Sequence, residues 1–264
     1  MKKLLSLMCS LLIIVTLCGC SSTQDQQEEV TLTLAAAASL ENTFEDKLIP
    51  EFEKENPNIK VQGVYDSSGK LQIQIEQGLK ADVFFSAATK QMDALVEGGF
   101  VQEADVTDLL ENKVQLIKPA GTETKVTGFE NITDAANLAL AADTVPVGQY
   151  AREIFDNLGI TDQVMAMEIN ECEDVSAVLA AVSEGSNEVG IVYATDAASV
   201  ADKVEVIATA NDTELKSKVI YPVGLVKNTE ADDAETAAAN AFVDYLKTPE
   251  AAAVFEKYGF SCIN

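Results

Sequence analysis

Residues 30–52 read VTLTLAAAASLENTFEDKLIPEF, and within them one periodicity gives way to another. VTLTLAAA reads as an apolar strand, whereas Leu40, Phe44, Leu48 and Phe52 recur every fourth position and so share one face of a helix. Small side chains and a hydroxyl, Ser39, sit where the strand becomes the helix. The same alternation continues downstream. IKVQGVY precedes Leu71, Ile75 and Leu79; ADVFFSA precedes Met92, Leu95 and Val96; NLALAA precedes Tyr150, Ile154 and Leu158; MAMEI precedes Val175, Val178, Leu179 and Val182. Repeated strand-then-helix units predict an α/β protein with mostly parallel sheets and flanking helices.

The chain has 264 residues, 47% of them hydrophobic, enough for one large or two ordinary domains with buried cores. No stretch is rich enough in proline, glycine or serine to act as an interdomain linker. Two lobes would therefore be joined by crossover strands, for which NKVQLIKPA and SKVIYPVGLV are the candidates. This places residues 30–115 plus 222–264 in lobe one and 116–221 in lobe two.

The first 19 residues read as a signal segment, with Lys2 and Lys3 ahead of an apolar run from Leu4 to Leu17. It ends in LCGC, which resembles a bacterial lipobox. That resemblance implies lipidation of Cys20, a tether over residues 20–29, and an extracytoplasmic protein anchored to the cell membrane. Removal of the signal leaves Cys172 and Cys262 as thiols, too few for a disulfide framework and, without histidine, only half a zinc ligand set. The lobe assignment separates them, so they are expected to remain free.

Composition excludes several classes. Eighteen basic residues face 43 acidic ones, a formal charge of −25, which argues against nucleic acid as a partner. With no histidine and no GxSxG, a serine or cysteine hydrolase lacks both its usual base and its nucleophile elbow.

Four junctions carry small or hydroxyl residues where a helix should begin: AASL at Ser39, DSSG at Ser67 and Ser68, VPVG at Val147, and CEDV at Val175. A helix N-terminus presents unpaired N–H groups and a partial positive charge, so two such ends per lobe could enclose an oxyanion without lysine or arginine. Taken singly, Ser39 and Ser68 read as N-caps, Val147 and Val175 as first-turn core residues, and Tyr193 in EVGIVYATDA as a core tyrosine.

In order, AASL, the paired serines, ADVFFSA, VPVGQYA, EDV, GIVYATDA, and finally YPVGLV with FVDYLKTPEAAAVFEKYGF closely resemble the molybdate-binding proteins of ABC transporters. The resemblance covers about residues 30–260. It implies a two-lobed periplasmic-binding-protein fold of type II that holds molybdate or tungstate between the lobes, with no cofactor, no enzymatic activity, a monomeric state and an ABC permease as partner. It places Ser39 and Ser68 as hydroxyl and amide donors, Val147 and Val175 as amide donors, and Tyr193 as a phenol donor. Asp66 and Lys70 in DSSGK qualify this. A carboxylate turned inward would favour a protonated oxyanion such as phosphate or a phosphonate over molybdate, tungstate or sulfate; turned onto its own turn it would not. A surface sensor or adhesin built on the same lobes stays open.

Overall fold

The structure is a computed structural model and describes residues 29–263, so Cys20 and the expected signal and most of the tether lie outside the described residues. Two sheets organise the chain. One contains β1 (Val30–Ala37), β2 (Ile59–Asp66), β3 (Val83–Phe85), β4 (Val101–Asn112), β10 (Val219–Val226) and β11 (Ser261–Cys262), in the order β11-β4-β10-β3-β1-β2. The other contains β5 (Val114–Pro119), β6 (Leu138–Ala141), β7 (Ile169–Cys172), β8 (Val189–Tyr193) and β9 (Val204–Thr209), in the order β7-β6-β8-β5-β9. The result is a two-lobed α/β fold. The chain passes between the sheets at Lys113 and again between β9 and β10.

The helices follow the predicted junctions. After β1 the chain is helical over residues 38–55: a 3-10 turn at Ala38–Leu40, α1 (Glu41–Thr43), a π-helical stretch at Phe44–Leu48 and α2 (Ile49–Glu55). Next come α3 (Ser68–Glu76), α4 (Thr89–Glu97), α5 (Pro146–Leu158), α6 (Thr161–Met165), α7 (Val175–Ser183), α8 (Ala194–Ser199), α9 (Asp233–Leu246) and α10 (Pro249–Lys257).

The βα units pair in parallel, as β1–β2, β1–β3, β6–β7 and β6–β8. Strands on either side of the two crossings pair antiparallel instead: β10 with β3 and β4, β11 with β4, and β5 with β8 and β9. Each sheet is therefore mixed, because a chain that enters and leaves a lobe along neighbouring strands runs in opposite directions.

Two sequence assignments shift. MAMEI contributes only Ile169 to β7, since Met165 ends α6 and the strand continues to Cys172. Leu79 lies beyond α3, which ends at Glu76 and is followed by Gly78 in the left-handed region (φ 102°); the Leu79 N–H then closes a Schellman-type bond to Gln74 O at 2.8 Å.

Both faces of the first sheet are covered. Leu34, Ala36 and Phe85 face one core, whereas Ala35 and Phe84 face a second with Leu71, Ile75, Met92 and Leu95. On the first face Phe44 packs edge-on to Phe85 and Phe255, with ring centroids 5.9 and 6.2 Å apart, which seats the first helical run and α10 on the sheet. Cys172 and Cys262 are free and sit in different sheets.

Candidate oxyanion site

Register brings the helix starts together. Ala37 is paired with Asp66 across β1 and β2, so both strands end level, and the helices beginning at Ala38 and Ser68 are neighbours. Ala141 is paired with Cys172 across β6 and β7, which sets the starts of α5 and α7 side by side in the other lobe. All four starts lie at carboxyl ends of parallel strands, the edge at which open α/β sheets bind ligands.

Between them lies a small cavity of about 10 Å³, room for little more than one water-sized sphere. One lobe contributes Ala37, Ala38, Ser39, Ser67, Ser68 and Ala87; the other contributes Val145, Pro146, Val175 and Tyr193. Four of the five predicted residues thus meet in one place. Val147 does not line the cavity; its side chain is buried in the core and only its backbone is near the start of α5. Ser67, Ala87, Val145 and Pro146 were not singled out as contacts in the sequence, although all four sit in the quoted motifs.

The backbone here is rich in donors. Gln149 N–H makes the first turn bond of α5, to Val145 O at 3.0 Å, which leaves Val147 and Gly148 N–H without a protein acceptor; Pro146 has none to offer. In α7 the Asp174 side chain takes Ala177 N–H at 2.8 Å, and Val175 and Ser176 N–H remain free. In α3 Ser67 Oγ takes Lys70 N–H at 3.4 Å, and Ser68 and Gly69 N–H remain free.

The serines depart from simple capping. The cap of α3 is Ser67, not Ser68. Ser68 Oγ instead accepts from Ala87 N–H at 2.9 Å, which leaves its own proton available. Ser39 makes no cap bond; its Oγ lies 3.0 Å from the Tyr221 hydroxyl.

Tyr193, at the end of β8, is buried, and its hydroxyl has no hydrogen-bond partner among the described residues. Burial pushes its pKa well up, so the group is a neutral O–H donor. An orphaned buried hydroxyl costs about 1 to 3 kcal/mol, a cost that an anion in the cavity would offset.

No carboxylate lines this cavity. Roomier depressions on the surface do carry them: Asp82 and Asp105 in one, Glu230 in a second, Glu41 and Asp196 in a third, Asp46 in a fourth. Asp66 folds onto its own turn, where Oδ1 accepts Ser67 N–H at 2.7 Å and lies 3.3 Å from Lys70 Nζ. Nor does a cation line the cavity. Lys70 Nζ reaches Glu173 at 2.7 Å, and Arg152 Nη1 donates to Ala141 O and Gly148 O, each at 2.8 Å. A completely deprotonated oxyanion needs donors, and the amides and hydroxyls at this cavity supply them without a charged side chain.

Comparison with known proteins agrees with this geometry. The family described as bacterial extracellular solute-binding protein matches residues 32–261. YvgL of Bacillus subtilis (strain 168), named as an ABC transporter substrate-binding lipoprotein, is 38% identical, covering 98% of both chains. The molybdate-binding protein ModA of Escherichia coli (strain K12) is 36% identical, over 89% of this chain and 90% of ModA. Among solved structures, the periplasmic molybdate-binding protein of Azotobacter vinelandii superposes with a TM-score of 0.75, covering 88% of this chain and 100% of that one at 22% identity.

Proposed function

The chain belongs to the bacterial extracellular solute-binding protein family, and on that premise we propose that it captures molybdate or tungstate outside the cytoplasmic membrane and delivers it to an ABC permease. One observation carries the choice of ligand class: a cavity ringed by free helix N-terminal amides, hydroxyls and an orphaned tyrosine, with neither carboxylate nor cation. Such a cage suits a tetrahedral dianion without a proton of its own. Hydrogen phosphate would need an acceptor, and Asp66, the residue able to supply one, is engaged with Ser67 and Lys70.

In this reading Ser39, Ser68 and Tyr193 donate through hydroxyls, and the amides of Val147 and Val175 donate from the opposite lobe. Residues 30–115 plus 222–264 form one lobe and 116–221 the other, closing on the ion. Cys20 carries the lipid that holds the monomer to the membrane; the lipoprotein designation of YvgL supports this assignment. The role is capture and delivery, not catalysis.

Melting curves test the reading. At a ligand concentration one thousand times the dissociation constant, molybdate should stabilise the fold by about 4 kcal/mol. A clear shift with phosphate and none with molybdate would refute it.

A further inference from the structure

A chain of hydrogen bonds ends at the cavity, and its first member orients the Asn112 amide within it. Lys113 N–H can only donate, and it lies 2.8 Å from Asn112 Oδ1, so the amide oxygen of Asn112 faces the backbone. Asn112 Nδ2 then faces Thr195 Oγ1 at 2.9 Å and the Tyr221 hydroxyl oxygen at 3.3 Å. An amide nitrogen only donates, so the Tyr221 oxygen accepts. Ser39 Oγ, at 3.0 Å, is the partner able to take the tyrosine proton; the contact itself admits either oxygen as donor, and the bond accepted from Asn112 favours the tyrosine. Ser39, accepting that bond, keeps its own proton for the cavity it lines. Both Asn112 and Tyr221 are buried, so water does not compete for these groups.

We propose that Asn112 and Tyr221 are positioning residues that commit the Ser39 hydroxyl to donating toward the bound anion. A free serine hydroxyl either donates or accepts, and would meet a protonated or an unprotonated oxyanion equally well. Held in this way, Ser39 offers only a proton, and the preference for an anion that carries none is written into residues that never touch it. The proposal rests on Ser39 being a ligand contact, as read above.

A double-mutant cycle followed by calorimetry with sodium molybdate tests it. Tyr221→Phe keeps the ring against Tyr193 and Phe260, whose centroids lie 5.7 and 5.3 Å away, and removes the hydroxyl that faces Ser39 and accepts from Asn112, whose amide keeps Thr195 as a partner. In the otherwise natural protein it should weaken binding about three- to tenfold. In a Ser39→Ala background, which keeps enough donors to remain titratable, the same change should alter affinity by less than about twofold. Equal losses in both backgrounds would mean that Tyr221 acts through packing, and no loss in either would mean that the chain is idle; both overturn the proposal. Should the natural protein bind sulfate and not molybdate, the ligand reading above fails, and the same cycle run with sodium sulfate still decides this one.

Discussion

Lys70 Nζ, in the first turn of α3, lies 2.7 Å from Glu173 Oε2, just ahead of α7 in the other lobe. The lysine of the serine motif therefore bridges the two lobes and does not line the cavity. Each partner holds the other charged: Glu173 sits below the ordinary carboxylate range because of Lys70, and Lys70 above the ordinary amine range because of Glu173. Both are substantially exposed, so solvent and salt limit what the pair is worth. Glu173→Gln should speed ligand release by no more than about fivefold, and the difference from the natural protein should fade at high salt. Stopped-flow release at two ionic strengths checks this; a large, salt-independent acceleration would contradict it.

Tyr193→Phe should uncouple stability from affinity. Removing an orphaned hydroxyl should leave the ligand-free melting temperature unchanged or raise it, while oxyanion affinity falls roughly tenfold or more through loss of a bond to a charged group. A lowered ligand-free melting temperature would show that the hydroxyl has a protein partner.

Gly69 closes against Thr144 across the cleft. A Cβ there would overlap the Thr144 carbonyl oxygen, a backbone atom that cannot swing aside. Gly69→Ala should therefore leave each lobe folded and prop the cleft open, with affinity reduced by at least about tenfold, the loss expected if closure supplies one ordinary charge-assisted bond. Small-angle scattering in saturating ligand should show a more extended particle than the natural protein. Unchanged compactness would contradict the close approach.

Much of this was legible in the chain. The period-four apolar residues gave the helices, and the small-residue junctions gave the cavity, because both signals are local. The pairing of Ser68 with Ala87 and of Ser39 with Tyr221 was not legible, since the partners are 19 and 182 residues apart and only the sheet brings them together. Ser67 and Ser68 are adjacent hydroxyls, and which one caps α3 depends on where the β2 register ends. The antiparallel pairings escaped for the same reason: strand direction is set by where the chain crosses between lobes, and no side-chain pattern records it. Val147 shows the limit of side-chain reading, because a residue whose unpaired N–H is its distinguishing feature looks like ordinary core.

Asp196 should make stability depend on pH. Burial pushes its pKa up to about 7 from an ordinary 3.8, while its carboxylate accepts Tyr193 N–H at 3.1 Å. The native state thus holds a proton that the unfolded chain releases, so this residue's contribution to stability falls as pH rises from about 4 to 7 and is level above that. Asp196→Asn, which keeps an acceptor for Tyr193 N–H, should remove that slope. Denaturant melts of both proteins at pH 5 and pH 8 should show the natural protein losing more; parallel behaviour would contradict the raised pKa.

The most direct measurement is titration calorimetry of the mature protein against molybdate, tungstate, sulfate and phosphate in one buffer at neutral pH. A cavity of amides and hydroxyls without a carboxylate, and Asp66 turned away, predicts tight binding of molybdate and tungstate, weaker binding of the smaller sulfate, and the weakest binding of phosphate, whose proton finds no carboxylate acceptor. Phosphate binding more tightly than molybdate would contradict the account at its centre.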